Sequence, residues 1–357
     1  MPTDLSVLIV SYNCAELALK AASSALQELK EAEVIIVDNA SADVASLRKT
    51  QLPIRLIENH QNVGLSAALQ QAYGESTGTH ILILNPDTTV LPGSLRLMME
   101  ALEDPRVGGV GPRFWWDEEK TMLLPPIPLP TVWDRCIDLI LQGENRFSRW
   151  LAKKDISKTI SLWRAETPQE VKMLSGAAIM TRRDVAQEVG IFDPAFFLYY
   201  EDSDWCQRVR KKGYRLLYHP KAEMVHLFNQ SGKQNPQIAQ HMAQSRETYL
   251  KRHFPRWKRQ LAESLATWLE KKRPPIKFED MGKLSKPPTF TWKKEGQHLV
   301  QVGLGPSFHP AAGCFVDGIS FNFPSSVWNT LAPGEYWGRI VELSEIRVSK
   351  VCRWGKP

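Results

Sequence analysis

The sequence predicts an α/β chain with a mainly parallel sheet, helices on both faces, and a small β domain at its end. Short Val/Ile/Leu runs alternate with amphipathic stretches from residue 5 to about 110, and such continuous apolar strands need cover on both faces. At 357 residues the chain suggests two domains, or one large domain with an appendage. After residue 284 the composition shifts to aromatics, Gly and Pro, with alternating runs HLVQVGL and RIVELSEIRV.

The elements follow in order. LSVLIV (5–10) reads as a buried strand and AELALKAASSALQEL (15–29) as a helix. EVIIVD (33–38), IRLIE (54–58) and ILILN (81–85) read as further strands, and VGLSAALQQAY (63–73) as a helix. In a sheet of this kind ligands bind at the carboxyl ends of the strands, which puts Ser11 to Asn13, Asp38 to Asn39 and Asn85 to Asp87 on one rim. Residues 112–170 break the rhythm with PRFWW and LLPPIPLP, whose prolines rule out a helix interior or central strand, and read as an insertion at the edge of the site. Residues 171–190 pass from strand to helix, and 246–273 read as helical with a break at Pro255. The expected domains are therefore 1–245, a basic helical segment and linker at 246–284, and a β-rich 285–357.

Composition excludes several classes. Five dispersed cysteines, Cys14, Cys136, Cys206, Cys314 and Cys352, form no CxxC pair and fit neither a disulfide framework nor a zinc site. Residues 246–273 hold nine Lys or Arg and three Glu, which accounts for the net charge of +6; the near-neutral remainder argues against nucleic acid as a partner. No run of 18 apolar residues occurs, and the N-terminus lacks a basic n-region, so a cytoplasmic protein is expected. The basic, Trp-bearing 246–273 could lie peripherally on an anionic membrane at its inner face, or form a solvated face.

GxGxxG and the P-loop are both absent, so any nucleotide binds by another route. The stretch FFLYYEDSDWCQR gathers Glu201, Asp202 and Asp204 beside aromatic rings. Carboxylates so placed are expected to raise one another's pKa, and a poised carboxylate can take a proton from an alcohol.

SYN (11–13), VDNASAD (37–43), NVGLSAA (62–68), NPDT (85–88), SGAAIM (175–180) and FDPAFFLYYEDSDWCQR (192–208) occur in the order seen in family 2 glycosyltransferases of the GT-A fold. The resemblance covers roughly residues 5–230 and is closest to the rhamnosyltransferase and galactofuranosyltransferase branch. It implies donor-nucleotide contacts from Ser11, Asn13 and Asp38 near the base and from Asn62 and Gly64 near the diphosphate. Asp38 could also cap the next turn with Ser41, the lesser reading, and Gly64 could simply let a helix start. Asn85 and Asp87 stand where the family has its DxD motif. The resemblance implies that Asp87 and, from EMVHLF, His226 hold Mg²⁺ or Mn²⁺ against the donor diphosphate. Asn85 is neutral where many members have Asp, and a histidine here could also be structural; His219 reads as structural.

By the same resemblance Asp202 is the catalytic base, supported by Glu201 and Asp204, although Asp202 or Asp204 could instead cap the helix that follows. Arg208 reads as a salt-bridge partner of the cluster. Trp116 and Tyr200 are candidate acceptor contacts by sugar stacking. The implied activity is metal-dependent, inverting transfer of a sugar, with dTDP-L-rhamnose as the suggested donor, to a hydroxyl of a surface glycan or lipid-linked oligosaccharide. A UDP-hexose or UDP-galactofuranose donor is the alternative, and an inactive glycan-binding scaffold is the alternative of another class.

Overall fold

Strand and helix alternate from the first described residues. The computed structural model describes residues 4–227, 237–272 and 276–357. One compact unit comprises Met1–Phe114, Ile127–Leu129 and Ala165–His253, and a second comprises Trp115–Pro126, Pro130–Arg164 and Phe254–Pro357.

In the first unit β1 (Leu5–Ser11), α1 (Ala15–Glu28), β2 (Glu33–Asp38), α2 (Ala45–Arg48), β3 (Ile54–Glu58), α3 (Leu65–Glu75) and β4 (His80–Leu84) follow in order. These four strands pair in parallel. Next come β5 (Thr88–Val90), α4 (Ser94–Ala101) and β6 (Val107–Trp115). After α5 (Asp134–Leu141) and α6 (Arg146–Trp163), the first unit resumes with β7 (Gln169–Val171), β8 (Ala178–Arg182), α7 (Arg183–Val189), α8 (Glu201–Lys211), β9 (Arg215–His226) and α9 (Ile238–His253). The sheet order is β3-β2-β1-β4-β8-β6-β9-β5, with β7 on β9. Beyond β4 the recorded pairings turn antiparallel, so the parallel half coincides with the stretch where strand and helix alternate.

Both faces of this sheet are buried, as the apolar strands require. Val7, Ile9, Val34 and Ile36 face the alanines of α1 and Leu95 and Met98 of α4. Leu8, Val10, Ile35 and Val37 face α3, α7 and α8. Helix α8 comes especially close to the sheet because β6 opens with two glycines. A Cβ on Gly108 would lie 2.6 Å from Val209, and one on Gly109 would lie 2.7 Å from the Trp205 ring. Trp205 is fully buried and donates its indole N–H to the Gly190 carbonyl at 3.0 Å.

The second unit adds α10 (Arg256–Lys271), β10 (Glu279–Lys283), β11 (Thr289–Thr291), β12 (Gln297–Gly303), β13 (Ala312–Asp317), β14 (Ser320–Asn322), α11 (Ser325–Thr330), β15 (Gly334–Glu342) and β16 (Arg347–Lys356). Its main sheet runs β10-β16-β15-β12-β13. Leu299 and Val341 of that sheet pack with Leu123, Ile156 and Trp163. Trp163 donates to the Leu124 carbonyl at 3.1 Å, and Leu123 bridges to Gly313.

Expected boundaries therefore move. The β-rich tail does not stand alone from residue 285, because a sheet with one apolar face needs a cover, and most of 112–170 supplies it. The basic 246–273 is split: α9 belongs to the first unit and α10 to the second. All five cysteines are free and buried. Among the described residues no helix is long and apolar enough to cross a membrane.

Trp205→Ala is expected to cost about 3–5 kcal/mol, measured as a lowered urea midpoint, because neither the sheet nor α7 can collapse into the space of a buried indole.

Candidate active site

Because β1, β2 and β4 are parallel neighbours, their carboxyl ends Ser11, Asp38 and Leu84 lie on one rim. Strand β8 runs antiparallel to β4 with Leu84 opposite Ala178, so the loop entering β8 reaches the same rim; Asn85 donates its backbone N–H to the Ala177 carbonyl at 2.9 Å.

Ser11 is fully buried, its hydroxyl 3.8 Å from Cys14 Sγ. Asn13 takes a left-handed conformation at φ 53° and accepts the Ala42 N–H at 2.9 Å, while its own N–H donates to Ser41 Oγ. Asp38 is 2% exposed and does two things. Oδ2 accepts the Ser41 N–H at 2.9 Å, the capping role the sequence allowed, and buried Oδ1 has no partner among the described residues. A buried carboxylate oxygen without a donor awaits one, since leaving it unmade costs its desolvation.

Asn39, expected on the rim but without a role of its own, organises the next loop. Its amide donates to Asn62 Oδ1 at 3.0 Å and to the Gly64 carbonyl at 3.2 Å, and its oxygen accepts from Asn59 and Val63. Asn62 Oδ1 also accepts the Gly64 N–H at 2.9 Å, so Asn62 is engaged in shaping the loop. Gly64 precedes α3 at φ 86°, where a Cβ would lie 2.7 Å from the Phe197 carbonyl oxygen. Glycine is therefore required twice, for its conformation and for its space.

Asn85-Pro86-Asp87 forms a turn closed by Thr88 N–H to the Asn85 carbonyl at 3.1 Å. β5 then pairs Thr88 with His226 on β9, which brings His226 Nε2 to 3.3 Å from Asp87 Oδ1. Both residues are buried, and Phe114 lies against the imidazole with ring centroids 5.7 Å apart. Among the described residues no group of three or more His, Cys, Asp or Glu converges as a metal cage. One carboxylate beside one imidazole fits a divalent cation that takes its remaining ligands from phosphate oxygens and water, not a resident structural ion.

The acidic stretch begins α8. Tyr199 and Tyr200 precede it with φ of 69° and 66°, and one face of α9 clasps the segment. His241 stacks on Phe197 at 4.3 Å, Ser245 donates to the Leu198 carbonyl at 2.8 Å, and Tyr249 packs on Tyr200 at 5.5 Å. Arg252 and His253 complete this row at helical spacing by donating to Asp204 Oδ1 at 3.1 and 2.8 Å.

The three carboxylates turn out to be unlike. Glu201 is buried with Oε2 unpartnered, and burial, then the Asp202 charge, pushes its pKa well above the usual range. Asp202 is half-buried and burial raises it too, but donors offset this: the Gly176 N–H at 2.9 Å on Oδ2, and the Ser203 N–H at 2.6 Å and hydroxyl on Oδ1. Of the two adjacent carboxyls, Asp202 is therefore the one whose ionised form is met by donors. Asp204 departs from the expectation of a raised pKa. It is fully buried, which alone would raise it, but the His253 and Arg208 hydrogen bonds prevail and hold it at about 2. It is an anchor between α8 and α9, with both oxygens taken up by these partners and Arg252. Arg208 is its salt-bridge partner at 2.7 Å, as the spacing implied.

Burial raises the Tyr199 hydroxyl, and the charges of Glu201 and Asp87 raise it further. Tyr200 is occupied by packing on Tyr249. Trp116 belongs to the second unit and is 5% exposed, which leaves no open ring face for stacking on a sugar. His219 Nδ1 accepts the Ala222 N–H at 3.1 Å, a structural role.

A rim with an unpaired carboxylate oxygen at one strand end, an Asp–His pair at another and a donor-held carboxylate beside them fits a nucleotide-sugar-dependent transferase. The family model for glycosyl transferase family 2 matches residues 6–190, and the chain belongs to that family, with the GT-A fold. It is similar to an N-acetylglucosaminyl-diphospho-decaprenol L-rhamnosyltransferase of Mycobacterium tuberculosis, 27% identical over 284 residues, 74% of this chain and 90% of that protein. It is also similar to the dTDP-rhamnosyl transferase RfbF of Shigella flexneri, 22% identical over 238 residues, 63% of this chain and 70% of that one. Among solved structures it is similar to the mannosyltransferase PcManGT of Pyrobaculum calidifontis in complex with GDP-Man and Mn²⁺, with a TM-score of 0.48 and 18% identity over 75% of this chain and 70% of that one. Relatives named rhamnosyltransferases are those of the branch the motifs resemble.

A carboxyl moved from the usual 3.8 to about 2 contributes about 2 kcal/mol to stability. Because the folded pKa is depressed, that contribution is present above pH 3.8 and is lost as pH falls towards 2. Asp204→Asn is expected to lower stability at pH 7 by about 2–4 kcal/mol, with the deficit shrinking in acid denaturation series run between these limits.

Proposed function

We propose that the enzyme catalyses metal-dependent, inverting transfer of L-rhamnose from dTDP-L-rhamnose to a hydroxyl of a lipid-linked glycan acceptor. The observation that carries this reading is the setting of Asp202, whose two carboxylate oxygens are oriented by the Gly176 N–H and by the Ser203 N–H and hydroxyl beside the buried Glu201. The names of the similar proteins support the sugar, and the first of them supports the kind of acceptor.

Asp38 Oδ1 would accept the imide N–H of the donor's base or a sugar hydroxyl, which satisfies the buried oxygen. Asp87 and His226 would hold Mn²⁺ or Mg²⁺. When bound, the cation supplies charge neutralisation to the diphosphate leaving group. Asp202 takes the proton from the acceptor hydroxyl as its oxygen bonds to the anomeric carbon. The bond from that carbon to the diphosphate oxygen breaks on the opposite face, its electron pair leaving with the nucleotide, and a single displacement inverts the centre. Burial, then the Asp202 charge, pushes Glu201 well above the usual carboxylate range, which disfavours two adjacent negative charges at this point of the site.

Asp202→Asn is expected to reduce turnover about 10²–10⁴-fold while dTDP affinity stays within a few-fold; unchanged turnover would remove Asp202 from the role of base. In the native enzyme, kcat should fall as pH drops through a pKa above that of an ordinary aspartate, because the base must be ionised and burial raises it. Calorimetry with dTDP and UDP, with and without Mn²⁺, tests the donor: stronger Mn²⁺-dependent binding of UDP would favour a UDP-sugar, and binding of neither would favour a scaffold. Asp87→Ala should abolish the Mn²⁺-dependent part of nucleotide binding.

A further inference from the structure

Helix α10 buries only Ala262 and Ala266, yet Trp257, Leu261, Leu265 and Trp268 are 60%, 53%, 39% and 51% exposed. At about 100° per residue these four fall within an arc of about 80°, whose centre is displaced by about 120° from that of the buried alanines. An apolar stripe of this size left in water marks an interaction surface.

Charge identifies what it meets. Lys258, Lys271 and Lys272 border the stripe, and lysine ammoniums stand over its rings, Lys258 5.3 Å from Trp257 and Lys272 4.5 Å from Trp268. The two acids of α10 are drawn elsewhere, Glu263 and Glu270 both pairing with Arg135 of α5. Helix α6, which like α10 packs on α5, repeats the chemistry. Phe147 and Trp150 are 56% and 55% exposed and stack at 5.8 Å, with Lys154 5.4 Å over the indole and Arg146, Arg149 and Lys153 close by in sequence. The α9 part of the basic segment is spoken for: Arg252 and His253 are engaged with Asp204, and Lys251 with Glu247.

We infer that α10, with the Phe147–Trp150 pair of α6 as a second anchor, docks the second unit on an anionic lipid surface. Indoles and leucines enter the headgroup boundary while the lysines above them extend to lipid phosphates, which is how amphipathic side chains divide at such an interface. A second copy of the chain would bring the same cations face to face in a two-fold contact, which like charge opposes. The inference rests on the proposed activity only for what the membrane presents, a lipid-linked acceptor; vesicle binding is read without any transfer.

The full-length protein is mixed with phosphatidylglycerol–phosphatidylcholine vesicles and with pure phosphatidylcholine vesicles, and followed by co-sedimentation and tryptophan emission. Binding with a blue shift is expected for the anionic vesicles. It should weaken about tenfold or more in Trp257→Ser/Trp268→Ser and in Lys258→Gln/Lys271→Gln/Lys272→Gln, with circular dichroism unchanged. Equal binding of native protein and both variants overturns the proposal, as does absence of binding to anionic vesicles. A dimer in gel filtration that the tryptophan variant dissociates also overturns it, by placing a second copy on the stripe. Vesicle binding by native protein that hydrolyses no sugar nucleotide would leave this surface in place and remove the proposed activity instead.

Discussion

The site depends on the clasp between α8 and α9. Asp204 lies at zero exposure beneath the first turn of α8 and is held by Arg208 from its own helix and by Arg252 and His253 from the end of α9. Arg208 extends the tie to the Val189 and Ile191 carbonyls, at the end of α7 and in the turn after it. A buried charge with this many donors tolerates little displacement, since losing any one leaves a desolvated group behind. The position of Glu201 and Asp202 follows from it, and the Gly176 N–H then ties Asp202 back to the sheet rim that carries Asp87.

The same clasp explains why three neighbouring carboxyls behave differently. Within one helical turn the side chains point in different directions, so one is buried with an oxygen that meets no donor among the described residues, one meets backbone donors at the rim and one meets cations. Glu201 and Asp202 are pushed up by burial to different extents, while Asp204 is pulled down against burial by its partners. Chemistry and architecture are thereby divided among side chains adjacent in sequence.

The rim was legible without coordinates. The apolar runs of β1, β2 and β4 place Ser11, Asp38 and Asn85 at strand ends by periodicity alone, and the resemblance singled out Asp87 and His226, which the structure brings to 3.3 Å of each other. The antiparallel half of the sheet was not, because β6 begins with VGGVGP, in which glycine replaces the branched residues that mark a strand, and β9 carries His219-Pro220. The role of Asp204 was hidden because its cations lie 48 and 49 residues away, on a helix whose charge read as a surface property. Asn39 stood inside a recognised motif, but its four bonds depend on the fold of a loop some 20 residues on. The sharing of the second unit between 112–170 and the tail has no local signal at all, since it is a matter of which apolar face covers which.

Tyr199 and Tyr200 carry a further consequence. Each sits in the left-handed region that L side chains avoid, at about 1–2 kcal/mol apiece. Tyr200 packs on Tyr249 of α9, and the cations on Asp204 hold the helix that follows, so this strain is carried by the contacts of α9 and not by the sheet. Loosening α9 is the route by which the carboxylates would lose their setting, and in a heated or mildly denatured sample competence should disappear at a lower perturbation than folded structure does.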